Sequence, residues 1–137
     1  MTDYPKLLTE ESVAELISNQ RSPCLSIYQA THRRHPENRQ DPIRFRNLMR
    51  ELEASLLQTY SADETRRSLD PFDSLARDEA FWRHTLDGLA VLGGPNLFRV
   101  FWLQRPVPEM AIVADSFHTK PLRRQLQSLD RFQVLGL

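Results

Sequence analysis

The run GLAVLGGPNLFRVFWL, residues 88–103, limits what this chain can fold into more than any other stretch. Two strand-like apolar segments flank Gly93-Gly94-Pro95-Asn96, and that tetrapeptide is hairpin punctuation, so the run predicts an antiparallel pair. Residues 89–92 are all apolar, which predicts a central strand. A second strand pattern covers Cys24–Ala30, with Leu25 and Ile27 on one face and Ser26 and Tyr28 on the other. Pro106 and Pro108 cannot donate ladder hydrogen bonds, so they delimit a further strand over Met110–Ala114.

Helical signals separate these strands. Thr9 is placed to cap a first helix, with Glu10 and Glu11 in its first turn and Val13, Leu16 and Ile17 as its apolar stripe. Asp41-Pro42 predicts the start of a long helix over 42–60, because Asp accepts first-turn N–H groups and Pro fits where none is needed. Its apolar positions, Phe45, Leu48, Met49, Leu52 and Leu56, share one face, whose burial gives roughly 10 kcal/mol before entropy. Residues 63–83 predict one or two shorter, polar helices interrupted near Asp70-Pro71. A short helix over 120–127 follows, and RFQVLGL then has the pattern of another strand.

The expected fold is α+β: a mainly antiparallel sheet of about four strands, with the long helix and its neighbours against one face. A small three-layer arrangement is the alternative. At 137 residues the chain suits one domain. Lysines plus arginines number 18 and aspartates plus glutamates 18, so net charge gives no reason to expect a nucleic-acid binder and any signal must be local. Cys24 is the only cysteine, which excludes an intrachain disulfide. The N-terminus MTDYPKLLTEES lacks the regions of a signal peptide, and no apolar run approaches the roughly 18 residues of a membrane helix. A soluble, cytoplasmic protein is expected.

The local signal follows the first strand, where PCLSIYQATHRRHP turns from apolar to basic. From residue 31 to 51, Arg33, Arg34, Arg39, Arg44, Arg46 and Arg50 face only Glu37, Asp41 and Glu51. Thr31, His32, Arg33, Arg34, Arg39 and Arg44 form the candidate nucleic-acid site, because guanidinium forks suit phosphate oxygens and such contacts carry no sequence information. The competing reading is a solvated loop whose neighbours Arg46 and Arg50 pair with Glu53 and other acids. His118 and Lys120 are a secondary anion-site candidate, at a helix that Thr119 is placed to cap.

Other candidates favour structural roles. His32 and His35, with His118 or Asp115, have weak spacing for zinc, so no metal is expected. His84 and Asp87 lack a nearby nucleophile with a marked context and are read as a hydrogen bond at a helix end. Cys24 reads as a small buried side chain. Phe98, Val100 and Trp102 share a strand face that would suit base stacking, but core packing under the long helix is the simpler use. No cofactor and no catalytic residue is implied, since nucleophile, base and oxyanion donors never occur together.

Four segments occur in a familiar order: PCLSIYQATHR, QDPIRFRNLMRELE, FWRHTLDGLAVLGGPNLFRVFWL and PVPEMAIVADSFHTKPL. They resemble the N-terminal domain of the bacterial archaeo-eukaryotic release factor family, over nearly the whole chain. The resemblance implies an N-terminal domain over 1–130, with 131–137 opening a middle domain that a C-terminal domain would follow. It also implies ribosome-linked work in peptide release or rescue, with the ribosome or tRNA as partner. Two departures stand out. The Gly-Gly-Gln loop of release factors belongs to the middle domain, whereas Gly93-Gly94 here precedes Pro95 in a hairpin. The stop-codon-reading tetrapeptide Asn-Ile-Lys-Ser is absent, so stop-codon decoding does not carry over. The expected function is therefore a noncatalytic recognition domain that touches rRNA or tRNA backbone through the basic loop. The alternative is a protein-interaction or scaffold domain, with the acidic region 63–79 meeting a protein partner. A basic face formed by Arg33, Arg34, Arg39 and Arg44 favours the first, and scatter of those four weakens it.

Overall fold

Strand pairing organises the molecule. A computed structural model describes residues 6–134, with side chains over 7–128. The elements run β1 (Lys6–Leu7), α1 (Glu10–Ser18), β2 (Cys24–Ala30), α2 (Asp41–Leu57), α3 (Ala62–Ala76), α4 (Glu79–Arg83), β3 (Gly88–Gly94), β4 (Leu97–Leu103), β5 (Met110–Ala114) and α5 (Lys120–Val134). A 3-10 turn, Glu37–Gln40, leads directly into α2. Strand order is β1-β4-β3-β2-β5, in which β4, β3, β2 and β5 pair antiparallel and the two residues of β1 lie parallel to β4. The apolar β3 is central, as expected. Its hairpin to β4 turns on Pro95-Asn96 alone, since Gly94 already pairs with Leu97. Glycine is required at 93, where a Cβ would stand 2.7 Å from the Phe72 ring.

Both faces of the sheet are covered. On one, Phe45, Leu48, Leu52 and Leu56 of α2 join Phe72, Leu75, Phe81 and Trp82 over Leu25, Ile27, Val91 and Val100. On the other, Val13 and Leu16 of α1 and Leu122 of α5 pack over Tyr28, Ala90, Leu92 and Phe101. The fold is thus α+β, as expected, with the long helix and its neighbours on one face, and it takes the three-layer form named as the alternative because α1 and α5 cover the other face. The reason lies in β2, β3 and β4, each of which contributes core residues from both phases of the pleat and so needs two covers. Val100 is buried and Phe98 and Trp102 pack against the α2-side core, so that strand face is core. Trp102 stacks on Phe81 at 4.5 Å. Cys24 is buried, which raises its thiol pKa.

Three boundaries differ from the sequence reading. Pro71 does not interrupt its helix: α3 runs through it, and the break falls at Arg77, with Asp78 Oδ1 accepting the Phe81 N–H to start α4. Proline removes one helical bond at an exposed position, while buried Leu69, Phe72 and Leu75 and the Ser61/Glu64 capping box hold the helix on either side. Residues 131–134 are helical rather than strand, because the spacing of Leu122, Leu126 and Leu129 continues the helical period past 127. The remainder of that expected strand, 135–137, lies outside the described residues. Finally, α2 ends at Leu57, with turns through Tyr60, and Asp41 does not cap it. The backbone is already helical at Gln40, which frees the Asp41 carboxylate for another use.

Candidate nucleic-acid interface

The segment after β2 is bound down residue by residue. Thr31 is buried, its hydroxyl donating to the Leu86 carbonyl at 2.7 Å and its N–H to the Asp87 carbonyl at 3.0 Å. Asp41 is fully buried and grips His32 with both oxygens: Oδ2 accepts the His32 backbone N–H at 2.8 Å, and Oδ1 lies 2.8 Å from Nδ1. A buried carboxylate must be hydrogen-bonded to be tolerated, and this clamp meets that demand. The Gln29 amide donates to the Asp41 carbonyl at 3.0 Å, and the Thr85 hydroxyl donates to the His32 carbonyl. Arg33 Nε donates to Asp87 Oδ1 at 2.7 Å.

Beyond Arg33 the pattern changes. Arg34, Arg39 and Arg44 are exposed and form no ion pair among the described residues. Arg39 lines a groove of about 590 Å³ between the start of α2 and the α3–α4 corner, together with His35, Asn38, Arg46, Arg77 and Arg83. Glu79 is the one carboxylate in its lining. Arg46 crosses this groove to donate to the Ala76 carbonyl at 3.4 Å, at the negative end of α3. Arg77 pairs with Asp73 at 3.1 Å and Arg83 with Glu79 at 3.6 Å, both on exposed side chains. A neighbouring groove of about 560 Å³ between α2 and α3 mixes Arg46, Arg50 and Arg66 with Glu53, Asp70 and Asp73 and carries no comparable excess.

The six loop candidates therefore do not share one surface. Thr31, His32 and Arg33 belong to the anchored base, and Arg39 belongs to the groove. Arg44 stands two residues from Arg46, roughly 200° around α2, with buried Phe45 between them. Arg34 is exposed outside the groove lining. Arg77 and Arg83 escaped the sequence reading because Arg77 lies within the acidic stretch 63–79 and Arg83 just after it, both far along the chain from Arg39. Only the packing of α3 and α4 against α2 brings them near.

The remaining candidates are placed as follows. His118 is half-buried against the sheet: its N–H donates to Ser26 Oγ at 3.1 Å, and its carbonyl accepts the Tyr28 hydroxyl, whose pKa burial pushes well above the usual range. Lys120 is exposed at the start of α5. The His84 N–H closes the last turn of α4 on the Phe81 carbonyl, while the Asp87 carboxylate belongs to Arg33 instead. Among the described residues no three His, Cys, Asp or Glu side chains are grouped to hold a metal, and no helix is long and apolar enough to cross a membrane. No protein-family model matches the chain, and no curated protein matches it.

Proposed function

We propose that this chain is the noncatalytic recognition domain of a release-factor-like, ribosome-associated cytoplasmic protein, contacting rRNA or tRNA backbone through the basic surface around the start of α2. The observation that carries the reading is the groove lined by Arg39, Arg46, Arg77 and Arg83 with one carboxylate, Glu79, in the lining and a second, Asp73, paired with Arg77. Such a surface offers planar donor forks to phosphate oxygens and raises the local concentration of polyanions. Arg34 and Arg44 form no ion pair among the described residues but lie outside that lining, so the loop arginines are scattered and the groove, rather than the loop alone, supports the reading.

Ribosome co-sedimentation at low and moderate salt tests the reading, with wild type beside an Arg34→Glu, Arg39→Glu, Arg44→Glu variant whose fold is checked by circular dichroism. Salt-sensitive binding that the variant loses is the expected result. Equal binding by both proteins, or none by either, overturns it.

A further inference from the structure

We infer that the groove between the start of α2 and the α3–α4 corner clamps a single RNA strand by its phosphates, an inference that rests on the proposed backbone contact and names its ligand. Guanidinium groups come from both sides: Arg39 and Arg46 from the 3-10 turn and α2, Arg77 from the break after α3 and Arg83 from α4. One extended phosphodiester chain lying between them meets cations left and right. A duplex instead presents two backbones across a wide shallow groove and reaches one wall at a time.

The floor decides between phosphate and base. Trp82 lines the groove but is only 6% exposed, with its ring centroid 5.3 Å from that of Phe45 and 5.0 Å from that of Phe81. Its indole N–H already donates to the Leu75 carbonyl at 2.9 Å. The Trp82 face is closed to a base, and in the lining only the exposed His35 ring offers an aromatic surface, so the arginine–phosphate contacts carry the binding. The resident pairs of Arg77 with Asp73 and Arg83 with Glu79 are exposed, and such pairs contribute little, so phosphate can replace carboxylate at small cost.

The test is fluorescence anisotropy of a labelled oligouridine of about 12 nucleotides, a length within the range of single-strand sites, beside a duplex RNA of equal length, across a salt series. The single strand is expected to bind more tightly than the duplex. In an Arg77→Gln, Arg83→Gln variant the slope of log K against log salt should fall by about 1.4, two phosphates at about 0.7 each. Arg66→Gln, in the neighbouring mixed groove, should leave that slope unchanged. Equal or tighter duplex binding, an unchanged slope in the double variant, or no single-strand binding overturns the clamp. Ribosome association that needs Arg34, Arg39 and Arg44 but not Arg77 and Arg83 also removes the clamp and leaves the proposed function standing. Single-strand binding with the expected slope change, but without ribosome association, keeps the clamp and removes the proposed ribosomal role.

Discussion

Arg33 and Arg34 are neighbours in sequence with opposite fates. Arg33 closes the anchored base of the loop, with its guanidinium on Asp87, below which Thr31 and His32 have their polar groups bound to Leu86, Asp87 and Asp41. Arg34, Arg39 and Arg44 stay open, on different surfaces, with no carboxylate among the described residues within pairing distance. The difference teaches that a basic stretch is not one thing. Near the strand end, the fold consumes polar groups to fix the path of the chain. Farther out, the same residue types are left to solvent or to a ligand.

The comparison is broken hardest by removing what supports both sides. Phe45 is fully buried one turn into α2, and Phe45→Ala should cost about 4 kcal/mol in urea unfolding, taking base and groove together. Asp41→Ala acts on the anchored side alone. It deletes two charge-assisted hydrogen bonds to His32 and should cost about 3 kcal/mol. Hydrogen exchange sharpens the distinction: in Asp41→Ala the His32 amide should lose protection while amides in β3 keep theirs. Equal loss at both would show that the clamp is part of the global core rather than a local anchor. Arg33 and Asp87 come next. Both side chains are about half exposed, so a double-mutant cycle should return under about 1 kcal/mol. A coupling above that would make Arg33 a larger part of the anchor than its exposure allows.

These effects track what could be read from the sequence. Strand β2 and the buried stripe of α2 follow from period-two and period-three-four patterns, and β3, β4 and β5 from apolar runs bounded by glycine and proline, all signals that local sequence carries directly. Pro71 misled because a proline signals a break only when packing on either side is weak, and Phe72 and Leu75 make it strong here. The second helical layer is less legible because Ser26 gives that face of β2 a polar position, whereas Ser26 is buried and its hydroxyl accepts the His118 N–H. At the site, local charge density marked Arg39 and Arg44 correctly as exposed, but not which cations were taken. Asp41 read as a helix cap, and its real partner, His32, is nine residues back across the loop. Arg77 and Arg83 meet Arg39 only through tertiary packing, for which no linear spacing is a guide.

The smallest expected effect is also the most diagnostic, because its sign separates the two sides of the loop. Arg39 lies in one groove with Arg46, Arg77 and Arg83 and has no ion-pair partner among the described residues, so its charge is opposed rather than supported. Removing a cation from such a cluster relieves repulsion, while removing one from a salt bridge strands its partner. Arg39→Gln should therefore leave stability within about 0.5 kcal/mol of wild type. Any change should be a gain at low salt that fades toward about 1 M, where the screening length falls to about 3 Å. Arg33→Gln should err in the opposite direction, since Asp87 is left facing no cation. Thermal unfolding of both variants across that salt range reads the two signs. A loss above about 1 kcal/mol for Arg39→Gln would place that arginine in the frame, and the division between anchored and open sides would have to be redrawn around it.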